Sequence, residues 1–314
     1  MNNKISLGLL DFGKRNTEYS SMGKVLDVID YAIAADKLGF SRFWLAEHHN
    51  FSSSEAWSSP QMLLPMLLCE TERINIGMAG VLINYYSSYE IATNFKMLEN
   101  LFPSRVDLGF AAGTPPLKIS QLLSQQDFEK KPDTVERKMK EIHDFFYAED
   151  MVAERDKIII PPYRGRVPEM FLLSSSFNKV DKALSSKLNI SKSIFHKKES
   201  MNYQKEEVLR YKSEFRNRYG YTPKASVAFT GICAPSEKEA QKLASMSGYK
   251  NFHNAILGPA SKFQDVLLEH QENFGVDEFI FHDANPLNSE RINGLESLSE
   301  KLILSNHKKV NHEV

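Results

Sequence analysis

The feature that most limits what this chain can become is an alternation running almost from end to end. Short apolar runs are separated by longer stretches whose apolar residues recur at helical spacing. ISLGLLD (5–11) reads as a strand, and VLDVIDYAIAADKLGF (25–40) as a helix stopped at Gly39. RFWLAEH is the next strand. Ser59-Pro60 then opens a helix through PQMLLPMLLCETE, with a proline in the first turn, where its missing N–H has no intrahelical partner to lose. INIGMAGVLI (74–83), the helix YEIATNFKMLENLF and the strand RVDLGFAAG (105–113) continue the series. In the second half EMFLLSSS (169–176), a weaker ISKSIF, KASVAFTGICA (224–234) and DEFIFHD (277–283) alternate with helical stretches. Ser236 is placed to cap one of these, and SERINGLESLSEKLIL is the last.

About eight strand candidates that read apolar on both faces, each followed by a helix or a segment containing one, predict an α/β chain folded as a (β/α)8 TIM barrel. The competing architecture is an open doubly wound sheet. The turn after the first strand, LLDFGKRNTEYSSMG, lacks the G-x-G-x-x-G that such a sheet often carries. The barrel is expected as a single domain over 1–306, followed by a polar tail, 307–314. Residues 114–133 and 148–168 break the rhythm and are expected as excursions at one end of the barrel, of the kind that form lids or binding walls.

Composition enters as exclusion. Thirty-nine basic residues against 40 acidic ones leave a net charge of -1, which argues against a polyanion-binding protein and so against nucleic acid as a partner. No apolar run approaches the ~20 residues of a membrane span, so no membrane partner is expected. Cys69 and Cys233 match no metal spacing and are expected as buried thiols. The first residues, MNNKISLGLLDFG, carry no signal-peptide pattern, so the expectation is a soluble cytoplasmic protein. The glycosylation triplets at Asn50 and Asn189 carry no meaning without export.

In a barrel of this kind, chemistry belongs at the carboxyl ends of the strands. Those ends are Leu10-Asp11-Phe12-Gly13, Glu47-His48-His49, Ala79-Gly80 with Asn84-Tyr85-Tyr86 beyond, Ala111-Ala112-Gly113-Thr114, Ser174-Ser175-Ser176 and His282-Asp283. Glu47-His48-His49 invites a metal reading, but neighbours on an extended strand point to opposite sides, and the helical H-E-x-x-H spacing is absent. Acid/base or cofactor-contacting work by an imidazole is favoured, with a solvated strand end as the alternative. Ser174-Ser175-Ser176 offers hydroxyls and N–H groups to an anion, or an ordinary helix cap. The small pair Ala79-Gly80 suits a flat molecule lying against the backbone, or a bulge. His282-Asp283 either lines the pocket or caps the last helix.

These residues also carry a resemblance. GFSRFWLAEHHN followed by RINIGMAGVLINYYSSYEIATNFKMLENLFPSRVDLGFAAGTPP resembles the bacterial luciferase-like monooxygenase family, and the similarity continues through SSSFNKVDKALSSKLNI, CAPSEKEAQKLA and DEFIFHD. The resemblance implies a (β/α)8 barrel, usually dimeric, as a homodimer or a heterodimer of related chains. It implies reduced FMN delivered by a separate reductase, or in one branch the deazaflavin F420. Oxygen would add to the flavin C4a carbon, and the resulting peroxide would oxidise a small organic substrate. His48 then falls on the family's catalytic histidine, and Ala79-Gly80 on the pair, often joined by a non-proline cis peptide, that packs against the flavin ring. Ser175 and Ser176 fall near the residues holding ribityl and phosphate, and Glu47, Tyr85 and Tyr86 on the substrate side of the pocket. The chain departs from the family at Ala112, where an arginine would help bind the flavin phosphate, and Lys179 is the expected replacement for part of that charge. The departure leaves two alternatives to a flavin monooxygenase: a flavin-poor supporting subunit, and F420-dependent hydride transfer.

Overall fold

A computed structural model describes residues 5–15, 19–49, 54–124, 134–249 and 252–304. The strands are β1 (Ser6–Asp11), β2 (Arg42–Leu45), β3 (Asn75–Leu82), β4 (Val106–Ala111), β5 (Glu169–Ser174), β6 (Asn189–Ser193), β7 (Ala225–Cys233), β8 (Ile256–Gly258) and β9 (Glu278–Asp283). All their pairings are parallel. From β1 each strand pairs with the next as far as β7; β7 then pairs with β9 and β9 with β1, which closes an eight-stranded barrel ringed by helices. Every expected strand is present. The sequence did not announce β8, a three-residue strand that pairs only with the end of β7, outside the closed ring.

Apolar runs form these strands because both faces are covered: β7 is buried at all nine of its positions. Side chains facing outward, such as Leu7, Leu9, Phe43 and Leu45, belong to the large core between barrel and helices. Those facing inward, Leu10, Trp44, Phe171, Ala228 and Ile280 among them, form a second core inside the barrel. Burying each large apolar side chain in either core contributes about 1.5–3 kcal/mol. The helix boundaries follow capping chemistry. Ser20, Ser87 and Ser236 accept from the N–H groups of Gly23, Glu90 and Glu239, while Gly220 and Gly275 end their helices in the left-handed conformation.

The two excursions part company. Thr114–Pro116 stay at the carboxyl ends of the strands, and a helix, Leu117–Ser124, follows them; residues 125–133 lie outside the described residues, as do Asn50 and the tail beyond 304. The 148–168 stretch lies at the opposite end, so it is no lid. Its helix, Glu149–Asp156, and the loop after it are tied to the helix Ser88–Leu101 and the turn that leads into the start of β4. Asn100 and Arg166 exchange amide hydrogen bonds of 2.9 and 3.0 Å, Arg166 reaches Ser104 at 3.3 Å, and the Lys96 ammonium donates to the Ile160 carbonyl at 3.0 Å. The connection runs from a returning helix into the foot of β5, which puts it at the amino end whatever its polarity. Of the two thiols, Cys233 is buried as expected, and Cys69 is exposed.

Candidate active site

The strands' carboxyl ends surround a cavity of about 430 Å³. One wall is flat because its residues are small: Ala79 and Gly80 from β3, and Ala111, Ala112 and Gly113 from the end of β4. The β3–β4 register shifts between Met78 and Val81, so Ala79-Gly80 is both a bulge and a cavity wall. The peptide joining them is cis. A Cβ at position 80 would come within 2.6 Å of the Gly109 carbonyl oxygen, so only glycine allows β3 to approach β4 this closely.

Beside the small wall, Ser174, Ser175 and Lys179 line the cavity from β5, the neighbour of β4, and the turn after it. Ser176 does not. Its hydroxyl accepts from the Asn178 N–H at 3.1 Å and donates to Gln204 at 3.1 Å, which is cap chemistry. Gln204 organises this turn: its Oε1 also accepts from the Phe177 N–H at 3.1 Å and from Lys192 at 3.2 Å, and its amide donates to Asn178. Nothing in the sequence marked Gln204, because it lies well beyond the turn it holds and outside any regular strand or helix.

Glu47, His48 and His49 split as strand alternation requires. Glu47 is buried and fully used: Oε1 accepts from the Tyr86 hydroxyl and meets His49 Nε2 at 2.9 Å, while Oε2 accepts from the Leu82 N–H at 3.1 Å. His48 points the other way, its ring open to the cavity. Phe12 meets it edge-on with ring centroids 5.0 Å apart. The surrounding walls strip water from the imidazole and lower its pKa below the usual histidine value, and the positive charges available at Lys14, His196 and His49 push the same way. The ring is therefore neutral at neutral pH, with one nitrogen to donate and one to accept.

Tyr85 and Tyr86 do not line the cavity. Tyr85 is buried with its hydroxyl 3.1 Å from Ser120, and the Tyr86 hydroxyl is committed to Glu47. Lys138 holds their loop by donating to the carbonyls of Ile83, Asn84 and Tyr86 at 3.0, 3.1 and 2.5 Å. The tyrosines thus set the position of Glu47 and of the chain after β3. His282 and Asp283 lie behind the cavity wall. His282 packs edge-on to Phe12 at 4.5 Å and hydrogen-bonds Thr230, and burial pushes its pKa down to about 3. Asp283 accepts from the Asn285 N–H at 2.9 Å, and burial pushes its carboxyl up to about 6.

The cavity also holds His196, with Phe195 beside it, at a place the strand-end motifs do not mark. Phe195 closes ISKSIF, the run with the weakest strand signal, and His196 directly follows it, so its position just past a strand end is the available clue. Among the described residues, no group of three or more His, Cys, Asp or Glu is arranged to hold a metal ion. Nor, among them, is any helix long and apolar enough to cross a membrane.

Comparison with known proteins adds a lineage. The model of a family described as luciferase-like monooxygenase matches residues 5–155. The uncharacterized protein YwcH of Bacillus subtilis is 30% identical over 246 residues, 77% of this chain and 72% of that one. The N-acetyl-S-alkylcysteine monooxygenase of the same organism is 31% identical over 188 residues, 60% of this chain and about half (55%) of that one. Among solved structures, apo-MsnO8 superposes with a TM-score of 0.82 at 20% identity, covering 96% of this chain and 99% of that one. The oxygenating constituent of 3,6-diketocamphane monooxygenase from a Pseudomonas putida plasmid, solved with FMN, gives 0.73 at 17% identity, covering 95% and 98%. At these identities the structural likeness speaks for the fold.

Proposed function

The chain belongs to the luciferase-like monooxygenase family, and from that premise we propose that it is a flavin-dependent monooxygenase that takes reduced FMN from a separate reductase and oxidises a small organic substrate. One observation carries the reading: a wall of small residues, flanked by hydroxyl and ammonium donors at the neighbouring strand end, borders a cavity with a neutral imidazole at its edge. Those residues fit a flat ring with an anionic tail. Ala79, Gly80, Ala111 and Ala112 leave room for the ring, and Ser175 and Lys179 would hold the phosphate. Lys179 is the only ammonium among the described cavity-lining residues. That favours FMN over F420, whose longer acidic tail would call for more positive charge.

Bound reduced flavin would supply the electrons that activate oxygen. The protein's share is to keep water away and to move protons. Leu10, Phe12, Trp44, Leu82 and Phe195 make the rest of the wall apolar, which suits a reaction whose oxygen-activated species water would dissipate. His48, neutral and open to the cavity, is placed to give or take a proton at the reacting atoms; Glu47, saturated by three partners, is placed to hold the strand end that presents it. A second, related subunit belongs to the same reading. Tyr89, Met97 and Leu101 are exposed on one face of the helix Ser88–Leu101, and Met62 and Met66 are exposed on the segment preceding β3.

The test is a titration with FMN, oxidised and photoreduced under nitrogen, followed by fluorescence, then admission of oxygen. Expected are saturable binding and reoxidation of the bound reduced flavin more slowly than free reduced FMN. Lys179→Ala should weaken binding about tenfold, the loss of one charge-assisted bond to phosphate. An unchanged affinity would remove Lys179 from the site. No binding of either form to the unaltered protein would overturn the cofactor reading and favour a supporting subunit.

A further inference from the structure

Resting on the reading that substrate is oxidised in this cavity, we propose that the substrate is an anion, a carboxylate or similarly charged group on an apolar body, held between His48 and His196. The two imidazoles reach the same cavity from different strand ends, one after β2 and one after β6. An aromatic bridge links them. Phe12 meets His48 at 5.0 Å and Phe195 at 6.1 Å, both edge-on, and the Phe195 ring lies 4.4 Å from that of His196. Neither imidazole has a hydrogen bond to another described residue, whereas the other polar groups here are largely committed.

The imbalance of donors and acceptors points to the ligand. Glu47 is the only carboxylate among the described cavity-lining residues, and its oxygens already serve His49, Tyr86 and Leu82. The cavity groups with no hydrogen bond to another described residue are the two imidazoles, the ammonium of Lys179 on the β5 side, and the hydroxyls of Thr114 and Ser175, none of them an anion. Each imidazole has an N–H to give to a ligand's acceptor, and no uncommitted carboxylate among the described lining residues opposes a negative charge placed between them. Leu10, Phe12, Trp44 and Phe195 offer its remainder an apolar surface.

Charge points the same way. Lys14, His196 and His49 face His48 from β1, β6 and its own strand end, and all of them disfavour its protonated form. Behind the wall His282 is buried beside Arg291, Asp11 and Lys14, and its own protonation is suppressed. His196 is lowered by burial alone. An anion between His48 and His196 reverses the balance for both, because each imidazolium gains an opposite charge. Binding then takes up protons, and affinity rises as pH falls towards the range where the free imidazoles begin to titrate.

Hexanoate and hexanamide, nearly equal in shape, separate charge from apolar fit. Their binding is measured by calorimetry in the flavin-free and the FMN-loaded protein, at about pH 6 and about pH 8, which bracket ordinary histidine titration. Expected is a preference for hexanoate on the order of tenfold at the lower pH, the worth of one charge-assisted hydrogen bond, narrowing at the higher pH. His196→Phe should remove the preference and leave hexanamide binding alone. Equal affinity for the two probes, binding of neither, or a preference that survives His196→Phe and vanishes in Lys179→Ala would overturn the proposal. Failure of FMN to bind while the hexanoate preference persists would instead overturn the flavin reading and leave the anion site standing.

Discussion

The two ends of the barrel carry polar groups inside the same ring of strands, and they treat them in opposite ways. At the amino end Arg42 is buried among partners: it meets Asp107, and its Nε donates to Glu278 at 2.7 Å. Asp107 also accepts from Trp44 Nε1 at 2.8 Å and from Asn75 at 3.2 Å, and Glu278 from the Ser41 hydroxyl at 2.7 Å. The Arg42 guanidinium lies 5.0 Å from the Phe171 ring centroid, and Gly8 leaves it room, since a Cβ there would come within 2.4 Å of its Cγ. At the carboxyl end the aromatic layer of Trp44 and Phe171 gives way to the cavity, where His48, His196 and Lys179 remain unmatched. These three are exposed, so water meets them at no great cost, but their convergence on one cleft is the arrangement a ligand site needs. One end is closed chemistry, and the other waits for a partner.

Breaking the closed end should have the largest effect. Arg42→Met leaves Asp107 and Glu278 buried without their cation and should cost about 3–5 kcal/mol of stability. Denaturant unfolding measures it, and a loss under about 1 kcal/mol would mean that the amino end tolerates open charges as the cavity does. His48→Ala should do the reverse. Its ring contributes little packing, so unfolding free energy should move by less than about 0.5 kcal/mol, while product formation under reduced flavin and oxygen should fall about 10²–10⁴-fold, the usual worth of a general acid or base. A variant that loses stability and keeps turnover would place His48 with the structural charges.

Much of this contrast could be read from the sequence, and the illegible part has a physical cause. Period and polarity are local properties, so the strands, and with them His48, Ala79, Gly80, Ala112, Ser175 and Lys179 at their ends, were accessible from spacing and from family resemblance. Where side chains go after the strand ends is decided by non-local hydrogen bonds. Tyr85 and Tyr86 follow β3 directly, yet Lys138 and Glu47, distant in sequence, turn them away from the cavity. The 148–168 stretch read as a possible lid because loop composition does not say which end of the barrel a loop serves. Arg42 gave no signal at all, since a lone arginine opening a strand looks like surface until the closed ring surrounds it with carboxylates.

Gln204 is the sharpest case of the same limit, and it offers a smaller, more selective test. It does not line the cavity, but its side chain holds Ser176, Phe177 and Asn178, the turn between Ser175 and Lys179. Gln204→Leu removes those bonds without touching a cavity group. If the turn positions the phosphate donors, FMN affinity should fall about tenfold or less, with a stability loss of about 1–2 kcal/mol. Hexanoate preference, which depends on His196 at the end of β6, should be unchanged. Equal losses for both ligands would show that the turn shapes the whole mouth and not the β5 side alone.

The smallest effect probes a flaw at the closed end. Glu99, near the end of the helix Ser88–Leu101, accepts from the Ser104 N–H at 2.7 Å with Oε1, but its Oε2 is buried with no hydrogen-bond partner. Burial pushes its carboxyl up to about 7. The sign follows from linkage: between the ordinary glutamate range and about 7 the folded protein holds a proton that the unfolded chain releases, so this site's contribution to stability falls as pH rises. Above that window the folded state carries an incompletely paired charge. Glu99→Gln removes the charge while its amide oxygen can still accept from Ser104. The variant should therefore gain on the unaltered protein as pH rises through the window, by on the order of 1 kcal/mol. Unfolding free energies measured across the window check it, and a difference independent of pH would mean that Glu99 is as well matched as Arg42.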